Sequence, residues 1–180
     1  MAATMSRPDT SDATPDELDR QVARLLGAPG DPLKDPDAIK ALGLLRNRIG
    51  QDVIFVSRFQ GGHRIIELVE EAPGHTVLRK GDDMPLEESW CYSVATGRMP
   101  EFVLDAREWI ESGAVPPLGL QVGTHISTPI KLANGAVFGM LCAFSEEVAS
   151  SATPNDLARL RLAAEWLGQR LSQAPEGSGH

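Results

Sequence analysis

The thiols of Cys91 and Cys142 and the imidazole of His125 are the groups in this sequence best suited to chemistry. Cys91 lies near the start of a predicted short helix, where a lowered pKa would favour the thiolate and a redox-sensing role. The alternative, which we favour, is a small buried apolar residue. Cys142 lies in an apolar segment and is expected in the core. His125 can ligate haem or hydrogen-bond a ligand, although such a histidine more often pairs with the backbone.

Aromatic side chains are concentrated around Cys91, since four of the nine lie within residues 90–109. Such a cluster suits the wall of a site for a flat ligand, or it forms a small satellite core beneath a loop. Asp105 can accept a hydrogen bond from a ligand, but we favour a role in capping the turn that follows it. The candidate ligand-binding residues are Trp90, Cys91, Tyr92, Phe102, Asp105, Trp109, His125 and Ser127.

Composition excludes several classes of protein. The 180 residues include 17 basic and 25 acidic ones, and no basic run exceeds two residues, so a nucleic-acid-binding surface is not expected. The longest apolar stretch, residues 136–144, is too short to span a bilayer, and the polar N-terminus does not resemble a secretory signal. Two cysteines and no close pairs of metal ligands argue against a disulfide scaffold and a metal site. We therefore expect a cytoplasmic protein.

The pattern of apolar residues predicts helices, then strands, then a closing helix. Two helices are predicted over residues 14–26, with a capping box at Thr14 and Glu17, and over 35–49. The regions that follow are predicted as strands 52–59 and 63–70, a short strand within 72–81, a helix over 85–96, a strand over 101–106 and a helical turn over 107–113. Residues 1–13 and 173–180 are expected to be disordered tails, which leaves one domain over 14–172.

Two apolar strands are predicted over residues 124–132 and 136–144, joined by Asn134 and Gly135, a dipeptide that favours a type I′ turn. The second strand is apolar on both faces, which predicts a central strand covered on both sides. In the first strand, His125 and Ser127 share a polar face that lines a cavity, meets a loop or faces solvent.

The last predicted helix starts at Thr153 and carries an apolar row with alternating spacings of three and four residues. That spacing is typical of a helix that packs in a bundle or coiled coil. The row consists of Leu157, Leu160, Ala164, Leu167 and Leu171. A second row, Ala163, Trp166 and Arg170, lies beside it, so we expect one row to pack on the sheet and the other to pair with a second subunit. We assign the homodimer interface to the first row.

Two segments resemble the GAF domain family. Residues 90–106 read WCYSVATGRMPEFVLDA, which is similar to the family's short helix, glycine and strand ending in Asp-Ala. Residues 128–130 (TPI) and 135–142 (GAVFGMLC) resemble its paired closing strands, and residues 141–143 are similar to GAF modules of cyclic-di-GMP signalling proteins. Over residues 15–172, the resemblance implies an α+β fold with a central antiparallel sheet of five to six strands. The N- and C-terminal helices would cover one face, and short helices and loops would form a pocket on the other.

The resemblance also implies a sensory or regulatory role in bacterial signal transduction. Members of the family bind small molecules such as cyclic nucleotides, bilins, haem or amino-acid derivatives, and they commonly dimerise through their first and last helices. We expect an unidentified small-molecule ligand, no attached output domain, and action through a homodimer or a separate signalling protein. The resemblance does not identify a cofactor.

Two alternatives remain open. Free methionine sulfoxide reductases of this fold use several cysteines near the short helix, whereas this sequence has Cys91 there and only the distant Cys142, so we expect no enzyme. Covalent bilin attachment is not expected, because Tyr92 stands where the family usually has histidine after its cysteine. The other alternative is a ligand-free dimerisation module whose pocket is filled by Trp90, Phe138 and Met140.

Overall fold

The structure, a computed structural model, describes residues 17–173. The capping box predicted at Thr14 and most of the two predicted tails lie outside these residues, although the last helix includes Gln173. Within them the elements follow in the order α1 (Glu17–Leu26), α2 (Pro36–Arg48), β1 (Val53–Gln60), β2 (His63–Glu71), β3 (Asp83–Pro85), α3 (Trp90–Ala95), β4 (Phe102–Val103), α4 (Arg107–Glu111), β5 (Thr124–Lys131), β6 (Val137–Ser145) and α5 (Pro154–Gln173).

The strands form one antiparallel sheet in the order β3-β2-β1-β6-β5-β4. The predicted α+β fold class is thus confirmed. Because β1 and β6 lie at the centre, their side chains alternate between two apolar cores. Leu141 and Ala143 of β6 pack on the side of α1, α2 and α5. Met140 and Cys142 pack on the opposite side, with α3 and the loops.

The three long helices are joined by a buried arginine of α5. Arg170 is 3% exposed, and its guanidinium donates to the carbonyls of Leu25, Leu26, Pro29 and Gly30 around the end of α1. It also pairs with Asp35 at 2.9 Å, whose carboxylate caps α2 by accepting from the N–H of Asp37. One side chain therefore satisfies helix-end carbonyls that would otherwise lack partners.

The apolar row of α5 is not an exposed surface, which corrects its assignment to a dimer interface. Leu157, Leu160, Ala164 and Leu167 are each 8% exposed or less and lie in the core between α5 and the sheet. Leu171 packs against the same core. One apolar face of a helix can be covered either by a sheet of the same chain or by a second chain, and here the sheet of the same chain covers it. Whether the protein is a dimer stays a prediction.

Local details of three other predictions are wrong. A type I′ turn needs a positive φ at both Asn134 and Gly135. Gly135 has a φ of 87°, but within residues 17–173 only glycines have a positive φ, so Asn134 does not and the β5–β6 turn is not type I′. A wider turn closes between the N–H of Leu132 and the carbonyl of Ala136 at 2.8 Å. The helix predicted over 85–96 is split by extended Ser89 into a 3₁₀ turn and α3. The third strand lies at Asp83–Pro85, after the predicted region.

No helix within residues 17–173 is both long enough and apolar enough to cross a membrane.

Candidate functional site

The short helix α3 covers the face of the sheet opposite the long helices. The hydroxyl of Ser89 caps it by accepting a hydrogen bond from the N–H of Tyr92 at 3.1 Å. Gly97, at a φ of 82°, follows its end. Trp90, Cys91 and Val94 turn inward and are buried against the sheet.

A pocket of about 70 Å³ lies beside α3. Its floor comes from β1, β2, β5 and β6, and the loop between α4 and β5 forms part of its wall. The indole N–H of Trp90 donates to the carbonyl of Pro116 at 2.7 Å, which fastens that loop to α3. The residues that line the pocket are Phe55, Arg64, Leu78, Met84, Ser89, Trp90, Cys91, Leu118, Leu120, Val122, His125 and Phe144. This volume holds about five or six water-sized groups and does not hold a tetrapyrrole.

Two polar side chains of this lining are buried and incompletely paired. Arg64 of β2 is 6% exposed, and its Nη1 atom has no hydrogen-bond partner. His125 of β5 is 3% exposed and its Nδ1 atom also lacks a partner, while its ring meets that of Trp90 edge-on at 5.3 Å. Burial lowers the pKa of His125 to about 4, so this histidine is neutral at pH 7.

A β-bulge directs Arg64 towards the pocket. Val56 of β1 pairs with Leu68, but the next residue, Ser57, pairs with Ile66, so Glu67 is an extra residue in β2. Leu68 therefore packs on the side of the long helices, whereas Ile66 and Arg64 lie on the pocket side. Without the extra residue, strict alternation would place Arg64 and Leu68 on the same face.

The two cysteines form a buried pair at the edge of the pocket. Cys91 of α3 and Cys142 of β6 have Sγ atoms 3.2 Å apart, and the hydroxyl of Ser57 donates to the Cys91 sulfur at 3.6 Å. The hydrogen bond from Cys142 lowers the pKa of Cys91, and the charge of Arg64 acts in the same direction. Burial raises the pKa of Cys142 well above its ordinary value. The expectation that the two cysteines are distant is therefore wrong.

Of the eight candidate residues, Trp90, Cys91 and His125 line the pocket, and the structure places the other five elsewhere. Tyr92 packs edge-on against Phe59, with ring centroids 6.2 Å apart. Phe102 packs with the core of the long helices. Trp109 packs on the pocket-side core without reaching the pocket.

The remaining two candidates have different surroundings. Ser127 is fully buried, and its hydroxyl has no hydrogen-bond partner. Asp105 accepts from the N–H of Arg107 at 3.1 Å and pairs with its guanidinium at 2.8 Å. The N-cap position of α4 is Ala106, and no side chain caps the helix there, so Asp105 contacts Arg107 from the position before the cap. The pairing with Arg107 lowers the pKa of Asp105.

A separate polar cluster lies at one end of β1 and β6. His75 is 3.6 Å from Asp52 and 3.5 Å from Glu146, and the ligand atoms of the three residues lie within 4.8 Å of one another. The carboxylate of Asp52 also accepts from the N–H of Glu146 at 2.9 Å. The cluster fastens the β2–β3 loop to the two central strands. Sequence reasoning missed it because its members are up to 94 residues apart.

Structural neighbours identify the fold. The GAF domain of an Acinetobacter phosphoenolpyruvate-protein phosphotransferase matches with a TM-score of 0.69 and 12% identity, over 87% of this chain and 91% of that one. A free methionine-R-sulfoxide reductase from Neisseria meningitidis, solved with its substrate, matches with a TM-score of 0.68 and 16% identity, over 94% and 95%. A Burkholderia vietnamiensis protein named as a GAF sensor matches with a TM-score of 0.66 and 15% identity, over 87% and 92%.

Neither a protein-family model nor a curated protein sequence matches the chain. The structural neighbours include sensor domains and reductases alike, so the likeness does not separate these functions. At 12 to 16% identity it establishes the architecture: the chain has a GAF fold.

Proposed function

We propose that this chain is a cytoplasmic sensor domain that binds a small molecule in the pocket beside α3 and acts through a second copy or a separate protein. The observation that carries the proposal is a pocket with mostly apolar walls in which Arg64 and His125 are buried with unpaired atoms. Ligand sites commonly combine an apolar lining with a few polar groups that orient the ligand.

The unpaired atoms favour a ligand over a pocket filled by side chains. A buried polar atom without a partner costs about 1–3 kcal/mol, so native proteins keep few of them. A ligand with a hydrogen-bonding group would recover that cost at Arg64 and His125. The proposed filling of the pocket by Phe138 has no support, because this ring packs with the opposite core, 4.8 Å below the guanidinium of Arg58.

Native mass spectrometry of the purified protein, compared with its denatured mass, tests the proposal. We expect a difference equal to the mass of a retained small molecule, or a thermal shift in a panel of small acids, amines and alcohols. Leu120 lines the pocket, so the larger side chain in Leu120→Trp narrows it and is expected to abolish both the retained mass and the thermal shift. Leu104→Trp is the matched control, because Leu104 is 41% exposed and lies outside the pocket lining.

The outcomes separate a sensor from an interaction module. Loss of the signal in Leu120→Trp but not in Leu104→Trp supports binding in this pocket. A clean apo mass with no thermal shift from any member of the panel would contradict the proposal, and the ligand-free interaction module would replace it.

The buried thiol pair favours a second candidate, a thiol-based redox function. A thiolate at Cys91 would attack a sulfoxide; with one proton taken up from solvent, the sulfoxide leaves as a sulfide and its oxygen becomes the hydroxyl of a sulfenic acid on Cys91. The Cys142 thiol, 3.2 Å away, would then displace that hydroxyl as water and form a disulfide. An external dithiol must reduce the disulfide to close such a cycle.

Product counting distinguishes this second candidate from a sensor. The protein is incubated with free methionine sulfoxide and excess dithiothreitol, and methionine is measured. A reductase would form many equivalents per chain, and Cys91→Ser would abolish turnover. Methionine that never exceeds the amount formed by dithiothreitol alone, in a protein whose thiols are shown to be reduced, would exclude this activity.

A further inference from the structure

The guanidinium of Arg64 is a buried positive charge without a counter-charge in the pocket. It is 94% buried, it forms no ion pair within residues 17–173, and the pocket lining contains no aspartate or glutamate. Arginine keeps its charge at any pH at which proteins fold. The Cys91 thiol is the one lining group that can become anionic, and in its neutral form it leaves Arg64 uncompensated. A buried charge in this state favours an anionic ligand.

His125 adds a second, uncharged contact on the same pocket. Its unpartnered Nδ1 and its contact with the Trp90 ring place one edge of the imidazole within the lining. Because this histidine is neutral at pH 7, it contributes hydrogen bonding rather than charge. An anion bound here would contact one cation, Arg64, and one neutral side chain, His125. One positive charge balances a ligand that carries one negative charge.

The walls define the rest of the ligand. Most of the lining is apolar, with Trp90, Phe55 and Phe144 as its largest side chains. The volume of about 70 Å³ accommodates about five or six water-sized groups. A strongly hydrated inorganic ion would leave these apolar walls without contacts. A short hydrocarbon chain would fill them.

We infer that the pocket binds a small monocarboxylate, whose oxygens contact Arg64 and His125 and whose short apolar body packs against Trp90. This inference rests on the proposed function, since it names the ligand class of the same pocket. Charge-assisted contacts between guanidinium and carboxylate are among the strongest hydrogen bonds in proteins.

Calorimetric titration of the full-length protein with butanoate and with its neutral isostere butanamide tests the inference. At constant ionic strength and pH 7, we expect butanoate to bind at least tenfold more tightly than butanamide. Arg64→Gln is expected to remove this preference, and Arg64→Lys to keep it with a weaker affinity. Arg98→Gln is the control, since it removes one positive charge from an exposed site near α3.

The possible outcomes distinguish failure of the monocarboxylate inference from failure of the proposed function. Equal binding of the two compounds to the wild-type protein, abolished by Leu120→Trp, would overturn the carboxylate but keep the sensor proposal. Inorganic phosphate or nitrate binding more tightly than butanoate would also overturn the monocarboxylate. Binding of neither compound, with an apo mass and no thermal shift, would overturn both proposals. If Arg64→Gln fails to fold, the wild-type comparison of butanoate with butanamide still decides the outcome.

Discussion

Oxidation of the protein with diamide, which accepts two electrons and two protons from a pair of thiols, is expected to join Cys91 to Cys142. The two sulfurs are 3.2 Å apart, so they must approach by about 1.1 Å to reach the length of a disulfide bond. Rotation of two side chains can provide such a movement without separating α3 from β6. Diamide is reduced to its hydrazine form in the same reaction.

The expected gain in stability follows from the length of chain that the disulfide would close. The two cysteines are 51 positions apart. For a loop of this length, the chain-entropy model gives about 4 kcal/mol at 25 °C, before any strain in the folded state is subtracted. For a domain of this size, 4 kcal/mol corresponds to a rise in Tm of roughly 8–16 °C.

Thiol titration after denaturation and a thermal melt give the two readouts. We expect both thiols to be lost on oxidation, with a higher Tm that dithiothreitol reverses. Cys91→Ser and Cys142→Ser are matched controls, because each keeps one buried thiol and is expected to show no intramolecular bond and no rise in Tm. Full retention of both thiols in the native protein, under conditions that oxidise the unfolded chain, would contradict the close approach of the two sulfurs. Loss of both thiols with a lower Tm would instead show that strain exceeds the entropic gain.

Three further predictions concern the scaffold. Leu167→Ala is expected to lower the free energy of unfolding by about 2–5 kcal/mol in a urea titration, because this side chain is fully buried; a change below 1 kcal/mol would contradict its place in the core. Asp35→Asn is expected to destabilise the protein above about pH 4, with a difference that shrinks as the pH falls, because the hydrogen bond from Arg170 lowers the pKa of Asp35 in the folded state; a pH-independent difference in urea midpoints would refute this. Gly139→Ala is expected to cost about 3 kcal/mol or more in the same assay, because its methyl group would overlap the backbone of Ser57 in β1, and a neutral effect would contradict the β1–β6 register.

The order of elements and the central position of β6 could be predicted because they depend on local patterns. Apolar residues on both faces of residues 136–144 require cover on both sides, whatever elements provide it. The contact between Asp105 and Arg107 is equally local, since the two residues are two positions apart. The strand predicted over 101–106 was too long, because β4 pairs only through Phe102 and Val103 at the sheet edge.

The contents of the pocket could not be predicted because they depend on sheet order and on a bulge. Cys142 has the sequence environment of an ordinary core residue, and only the packing of α3 across β6 brings it to Cys91. Arg64 has the pattern of an exposed strand residue next to a turn, and one extra residue at Glu67 sets its face. The apolar row of α5 that begins at Leu157 was predicted correctly as an apolar stripe but assigned to the wrong contact. Its spacing does not indicate whether a sheet or a second chain covers it.

The two candidate functions meet at Arg64 and are therefore not independent. After the hydrogen bond from Cys142, the charge of this arginine also lowers the pKa of Cys91, and the same charge is the proposed partner of a carboxylate. A bound anion would offset the charge, raise the pKa of Cys91 and cover the Cys91 thiol, which lines the same pocket. A carboxylate ligand would thus protect Cys91 and Cys142 from oxidation, whereas the empty pocket would leave Cys91 more acidic and more accessible. Under both proposals, ligand occupancy would decide whether the thiols can respond to an oxidant.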